Sequence, residues 1–351
     1  MRDKKMKIDF GDDVAKLQEH LLENYQVRNS CLQKLCFRKW MERYVENSKY
    51  VYNLHKYPLG RNIIIGDLES SKVILTAHYD TPFKTKVNRD SCKSFFDRIL
   101  LCFLGIVLVC VFMSLKDDFN WVCLLIFAVI MVLFVLLLSN KKNANDNTSG
   151  VLTLLSILNI IDLDESEKVC FVFFDQEELL KRGSREFKKK YGKVIEDKLL
   201  INFDCVGDGD TVYFITGECS KHSTKFKQEY FSKEKSILKK SLDKVITERK
   251  KKDSDGGLTG FRFRSSFKCE SVCADNGIDD CKCNKTYKFT SDHNNFVENG
   301  IGVKVASENN FFHGKERYHT CKDTVLDVEN IEMLSNVMAD FICYLSRDEE
   351  G

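Results

Sequence analysis

The chain has 351 residues, enough for one large catalytic domain or two ordinary ones. Hydrophobic residues make up 43% and charged residues 30%, as in an ordinary globular protein, and a formal net charge of +2 gives no reason to expect nucleic acid as a partner. The opening MRDKKMKIDFGDD lacks the apolar core of a signal peptide, so the 15 cysteines read as reduced thiols in a cytosol-like compartment rather than as a disulfide framework.

Residues 12–47 carry helical spacing, with apolar positions at Val14, Leu17, Leu21 and Leu22 and then at Cys31, Leu32, Leu35, Trp40 and Tyr44. This segment, 1–49, is expected to pack as helices on a catalytic domain whose first part is 50–94. Tyr50–Asn53, Asn62–Ile65 and Val73–Ala77 read as short strands, split by Gly60 and by Ser70-Ser71. Residues 95–140 then hold two charge-free runs, Ile99–Leu115 and Trp121–Leu138, joined by Lys116-Asp117-Asp118-Phe119-Asn120. Each run is near the shortest length that spans a bilayer core of about 30 Å. They read as a transmembrane helical hairpin; a pair of buried core helices is the alternative. Lys84, Lys86, Arg89, Lys93 and Arg98 precede the hairpin and Lys141 and Lys142 follow it, against Lys116 alone in its connector. That bias sets both outer ends, and with them the catalytic domain, on the cytoplasmic side of a cell membrane.

The second part of the catalytic domain is 141–351. Gly150–Ile161 reads as an amphipathic helix, Val169–Phe174 as a buried strand with a helix following from Glu177, and Leu199–Phe203 as a further strand. Residues 221–252 form a Lys-rich helical stretch, 253–290 an irregular cysteine-containing insertion, Lys304–Ala306 a strand and Asp327–Leu345 a closing helix. There is no internal repeat. Strands alternating with helices predict an α/β sandwich.

Five segments at element ends carry groups suited to chemistry. In Ala77-His78-Tyr79-Asp80-Thr81-Pro82, His78 and Asp80 point to one side of an extended chain, and a carboxylate there can accept the second imidazole N–H of a metal-bound histidine. Asn145-Asp146-Asn147-Thr148-Ser149-Gly150 is a polar loop opening a helix, and an ordinary helix cap would use the same residues. In Phe173-Phe174-Asp175-Gln176-Glu177-Glu178, Asp175 and Glu178 also have the spacing of a capping box. Asn202-Phe203-Asp204-Cys205 puts an acid directly after an apolar strand, and Tyr318-His319-Thr320-Cys321-Lys322-Asp323-Thr324 precedes the last helix. Alone, each has a structural explanation. Together they supply two histidines and several carboxylates, a nitrogen and oxygen set suited to a pair of zinc ions. The chain lacks a cysteine-rich zinc finger pattern, G-x-S-x-G, HExxH and a P-loop.

The order AHYDTP, NDNTSG, FFDQEE, NFDCVG, SDHNNF with GIGV, and YHTCKDT resembles that of the co-catalytic dinuclear zinc aminopeptidases, whose relatives include bacterial leucyl aminopeptidase, glutamate carboxypeptidase, glutaminyl cyclase and transferrin receptor. The resemblance covers roughly 50–345, apart from the hairpin and 253–290. It implies a zinc exopeptidase fold, a mixed central sheet sandwiched by helices with the hairpin inserted, and two zinc ions, with cobalt or manganese as alternatives. By the same resemblance His78 would bind one ion and His319 the other, Asp146 would bridge both, and Glu178 and Asp204 would complete the two spheres. Glu177 would be the general base, Asp80 would orient His78, and Asp292 and His293 would lie by the substrate pocket. The implied activity is a membrane-anchored aminopeptidase acting on peptides with a free N-terminus. A glutaminyl cyclase-like or carboxypeptidase relative and a non-catalytic membrane scaffold of the same fold are the alternatives. The chain departs from the family at Asn295 and Gly302, where proline is usual, and it lacks the usual glycine just after Glu177-Glu178.

Asp146 lies seven residues beyond Ser139, so at ~3.3–3.6 Å per residue it is held within about 25 Å of the membrane face. A site opening near the bilayer is expected. Basic residues outnumber acidic ones in 221–252, which suits contact with anionic lipid but equally a solvated face. Cys269, Cys273, Cys281 and Cys283 do not follow a standard zinc spacing; free thiols, a labile disulfide and a structural metal are all open.

Overall fold

The computed structural model describes residues 9–46, 48–82, 140–161, 166–216, 232–256, 264–269, 291–307 and 317–347. Eight strands form one mixed sheet: β1 (Tyr52–Tyr57), β2 (Gly60–Ile65), β3 (Val73–His78), β4 (Val169–Phe174), β5 (Leu199–Phe203), β6 (Thr211–Thr216), β7 (Arg264–Cys269) and β8 (Gly300–Ala306), in the spatial order β1-β2-β4-β3-β5-β8-β6-β7. The central strands β4, β3, β5 and β8 run parallel, while β1 and β2 on one flank and β6 on the other pair antiparallel to their inner neighbours.

The apolar runs become strands buried on both faces, and the alternation of side chains divides them between two cores. Ile63, Ile65, Val73, Leu75, Ala77, Val169, Phe171, Phe173, Leu199, Ile201 and Phe203 enter the larger core. Their neighbours Ile64, Ile74, Cys170, Val172, Phe174 and Leu200 enter the smaller one. Five helices cover the larger core: α1 (Val14–Asn24), α2 (Cys31–Glu46), α3 (Gly150–Ile160), α5 (Ser232–Gly256) and α6 (Val328–Arg347). α4 (Arg182–Ile195) covers the other face through Phe187 and Ile195.

The sandwich agrees with the sequence reading, but several elements differ. α3 is buried almost all round rather than amphipathic, because it is enclosed between the sheet and α6. The first hairpin turns at Pro58-Leu59, so Gly60 opens β2 instead of separating strands. The helix expected from Glu177 starts at Arg182, since Gln176, Leu180 and Lys181 all have left-handed backbone (φ 62°, 59° and 53°) that no helix can include. β6 was not anticipated, and part of the stretch read as irregular supplies β7, which pairs parallel to β6. The proposed hairpin residues Ile99–Leu115 and Trp121–Leu138 lie outside the described residues, as do Cys273, Cys281 and Cys283. Among the described residues no helix is long and apolar enough to cross a membrane.

α4 is seated through Gly183: a Cβ there would lie 2.0 Å from the carbonyl oxygen of Asp175 and 2.7 Å from Asn62 Oδ1. Asn62 Nδ2 in turn donates to the Gly183 carbonyl at 2.9 Å. Gly183→Ala is therefore expected to destabilise the fold by about 1–3 kcal/mol through overpacking. A urea unfolding midpoint equal to that of the unsubstituted chain would contradict this close approach.

Candidate metal centre

Parallel strands deliver their C-terminal ends to one side of the sheet, where α/β folds bind ligands. His78 ends β3, Asp204 follows β5, and Glu177-Glu178 follow β4 after a two-residue turn. The loop from Asn140 to Ser149 contributes Asp146, and the loop before α6 contributes His319. Left-handed backbone recurs in these loops, at Gln176, Cys205 (φ 57°) and His319 (φ 59°). Such conformations persist only where the surroundings enforce them, and they gather at functional sites.

Asp146 stands between the two histidines. His78 Nε2 lies 3.3 Å from Asp146 Oδ1 and 3.7 Å from Asp204 Oδ1. His319 Nε2 lies 2.9 Å from Asp146 Oδ2 and 3.3 Å from Glu178 Oε1. One carboxylate thus offers a separate oxygen to each imidazole. The ligand atoms of His78, Asp146 and Asp204 fall within 4.8 Å of one another, as do those of Asp146, Glu178 and His319. His78, Glu177 and Glu178 form a third such group. Neutral imidazole and carboxylate on a largely buried surface are donors suited to a metal such as zinc, cobalt or manganese, and Asp146 belongs to two of the three groups.

The backbone holds this arrangement. Asp323 accepts from Asn145 N at 2.7 Å and from Asp146 N at 3.0 Å. Asn147 Nδ2 donates to Phe203 O, and the Asn145, Asn147 and Ser149 side chains accept from the N–H groups of Gly207, Cys205 and Val206. The Asp146 loop is thereby laced to the Asp204 loop. Asp80 acts differently from expectation. Its carbonyl, at 3.0 Å, is the nearer partner of His78 Nδ1, and its carboxylate is 3.7 Å away. A carbonyl only accepts, so Nδ1 carries the proton and Nε2 is left facing Asp146 and Asp204. The Asp80 carboxylate instead takes the N–H groups of Glu177 at 3.0 Å and Glu178 at 3.3 Å, and so positions the acid pair.

Asp292 and His293 are fully buried beside this centre, in a short helical turn that Ser291 opens by donating its N–H to Asn294 Oδ1. Asp292 accepts a hydrogen bond from Ser184 Oγ. Two of the three departures, Gly302 and Asn295, have local uses. A Cβ at residue 302 would sit 2.6 Å from the His293 ring, so glycine makes room for it. Asn295 Nδ2 donates to Lys181 O and Ser184 Oγ, tying the turn to the start of α4. Sequence reasoning assigned no role to Asp323, to Arg28, or to Lys34, whose Nζ lies 2.7 Å from Asp175 Oδ1. Asp323 sits within the recognised YHTCKDT segment, so its motif was a usable signal; Arg28 and Lys34 had none.

Burial and mutual proximity set the proton affinities. Burial pulls the His78 imidazole down, but Asp146, Asp204 and Asp80 together hold it well above the ordinary histidine value. His319 is likewise opposed by burial, yet raised to about 11 by Asp146 and Glu178. Burial raises the carboxyls of Asp146 and Asp204, but His319 and His78 at Asp146, and His78 with Lys304 at Asp204, overcome it and hold both below the usual carboxylate value. Burial and neighbouring acids lift Glu178, Asp292 and Asp323 to about 7 each, and lift Glu177 well above its ordinary value. Burial pushes His293 down to about 3.

The Peptidase family M28 model matches residues 132–261, a segment that includes Asp146, Glu177, Glu178 and Asp204. Over that segment the chain is similar to the M28 peptidases. Its fold is similar to that of LapA aminopeptidase from Legionella pneumophila, at 13% identity and a TM-score of 0.54, covering 96% of this chain and 71% of that one. It is similar to glutaminyl cyclase from Porphyromonas gingivalis, at 16% identity and 0.57, covering 96% and 100%. It is also similar to a leucine aminopeptidase precursor from Bacteroides thetaiotaomicron, at 16% and 0.54, covering 95% and 97%. No curated protein sequence matches the chain. The family's metallo-exopeptidases and the glutaminyl cyclases share this fold.

With no ion bound, Glu178, Asp292 and Asp323 at about 7 and His319 at about 11 keep protons that the unfolded chain releases at lower pH. Between about pH 6.5 and 8 the unfolded chain binds fewer protons than the folded one, so the ion-free fold loses stability as pH rises. Asp146 and Asp204 act oppositely, but only at lower, carboxylate pH. A cation would stand in for the lost protons. The melting temperature of chelator-treated protein is expected to fall from pH 6.5 to 8 while that of zinc-treated protein holds. A gap between the two that narrows over this range would contradict the assignment.

Proposed function

We propose that the chain is a metal-dependent aminopeptidase holding two zinc ions, with cobalt or manganese as possible substitutes. The observation that carries this reading is the Asp146 carboxylate facing His78 with one oxygen and His319 with the other. In this reading His78 and Asp204 hold one ion, His319 and Glu178 hold its neighbour, and Asp146 is shared. The bound ions would polarise the scissile carbonyl and lower the pKa of water at the site.

The chain's own groups then divide the work. Glu177 is within reach of His78 and Glu178 without belonging to either triad that shares Asp146. It is the general base: it takes the proton of the attacking water and returns it to the leaving amine. Its raised proton affinity suits a group that must hold that proton between the two steps. Asp80 keeps the acid pair in place through two backbone N–H groups, and Asp292 and His293 border the pocket.

We further propose that the enzyme is anchored in a membrane by a hairpin of Ile99–Leu115 and Trp121–Leu138, its catalytic domain facing the cytoplasm. The two charge-free runs and their basic flanks support the anchor. The described segments on either side of the insertion end at Pro82 and Asn140; Asn140 Nδ2 donates to the carbonyl of Thr320, next to His319. Exposed Leu179 and Leu180, just after the acid pair, and exposed Leu59 suit an apolar substrate or a lipid surface. Substrates would be peptides with a free N-terminus presented close to the bilayer.

Glu177→Gln keeps the shape of the site and removes the base. Turnover of aminoacyl anilides and of short peptides with free N-termini is expected to fall about 10²–10⁴-fold while bound metal stays unchanged. Blocked peptides should resist the unsubstituted enzyme, and chelator should abolish activity. Unchanged turnover in the variant would remove Glu177 from this role. Cyclisation of an N-terminal glutamine without peptide cleavage would favour a glutaminyl cyclase, release of C-terminal residues a carboxypeptidase, and metal binding without either a scaffold.

A further inference from the structure

Arg28 is the largest fully buried side chain of the described residues, and nothing in the catalytic chemistry above uses it. It lies in the turn between α1 and α2, far in sequence from either half of the metal centre. Its Nε donates to the carbonyl of Tyr79, the residue after His78, at 2.5 Å. Its backbone N–H donates to Thr81 Oγ1 at 2.9 Å. Both contacts grip the end of the described segment that closes at Pro82. Nη1 and Nη2 each reach Thr148 Oγ1 at 3.2 Å, two residues beyond Asp146. That hydroxyl donates to Asn143 O at 2.6 Å, and Asn143 Nδ2 donates to Gln26 O at 3.2 Å. Nη1 also donates to Tyr25 O, which braces the guanidinium against its own turn. One planar fork therefore joins the segment before the insertion to the segment after it.

The charge matters as well as the shape. A buried cation is costly unless compensated. The bonds above go to neutral oxygens, and the compensating field comes from Asp80 and Asp146, which offset the lowering of its proton affinity by burial and leave it at about 10. The guanidinium thus remains charged at neutral pH and faces the acid cluster from behind the histidine and the shared aspartate.

We propose that Arg28 is a positioning residue that holds His78 and Asp146, separated by the inserted residues 83–139, in register for metal binding. This rests on the metal-centre reading and adds to it that the N-terminal turn assembles the centre across the insertion. A lysine could keep the charge but not bridge Tyr79 and Thr148 with one rigid fork.

The test measures Zn²⁺ affinity of the ion-free full-length protein by competition with a chromophoric chelator. Thr148→Val removes the hydroxyl end of the clasp with little change in volume and guards against a failure of Arg28→Met to fold. Lys198→Met is the control: Lys198 is also a buried cation on backbone carbonyls, those of Glu69 and Ser71, but at the opposite end of β3. Arg28→Met and Thr148→Val are expected to weaken zinc binding about 10–100-fold, the usual range for groups that orient ligands, with Arg28→Lys recovering only part. Lys198→Met should lower the melting temperature while leaving zinc affinity intact. Wild-type zinc affinity in Thr148→Val and Arg28→Lys, or an equal loss in Lys198→Met, would overturn the proposal. An unsubstituted protein that takes up no zinc would instead overturn the metal-centre reading, and this inference with it.

Discussion

Asp146 turns one carboxylate oxygen to His78 and the other to His319, and the buried polar contacts of the site converge on keeping it there. Asp323 fixes its backbone from one side, and the side chains of Asn145, Asn147 and Ser149 bind the neighbouring Asp204 loop from the other. Asp80, Asp146, Asp204, Asp292 and Asp323 are all buried within this region, together with partly buried Glu177 and Glu178. Removing a carboxylate from water costs several kcal/mol unless a cation accompanies it. In the ion-free chain that positive charge comes from protonated His78 and His319, from Arg28 behind them, and from Lys34 on Asp175. A divalent pair would supply the charge more directly, and would free both histidines to act as neutral ligands.

The central sheet was legible because its strands obey simple rules. Val169–Phe174 is apolar throughout and Leu199–Phe203 apolar but for Asn202, as expected of parallel strands covered on both faces, and their limits agree with the structure. The grouping of His78, Asp146, Glu178, Asp204 and His319 was legible from the order of their motifs; His78, Glu178 and Asp204 lie at or after the C-terminal ends of β3, β4 and β5, while Asp146 and His319 come from loops that open α3 and precede α6. Other features depend on distant partners and leave no local trace. Leu179 and Leu180 look like the apolar positions of a helix, yet the backbone at Leu180 and Lys181 is left-handed and α4 starts only at Arg182. β6 owes its place to β8 and β7, both far along the chain. Arg28 contacts Thr148 across 120 residues of sequence, which no motif could announce.

The distance in sequence between His78 and Asp146 sets this arrangement its particular problem. The proposed centre needs ligands placed to within a fraction of an ångström, and residues 79–145 of the sequence separate two of them, His78 and Asp146. The described segments that end at Pro82 and begin at Asn140 are tied to distant parts of the chain: Arg28 donates to Tyr79 O and Thr81 Oγ1, and the Asn143 and Asn140 side chains donate to the backbone carbonyls of Gln26 and Thr320.

The most direct measurement of the central claim is the anomalous scattering of crystals grown with zinc and recorded at the zinc absorption edge. The account predicts two peaks about 3.5–4 Å apart, straddling the Asp146 carboxylate, one beside His78 and Asp204 and the other beside His319 and Glu178. A single peak, or two that do not share Asp146, would contradict it.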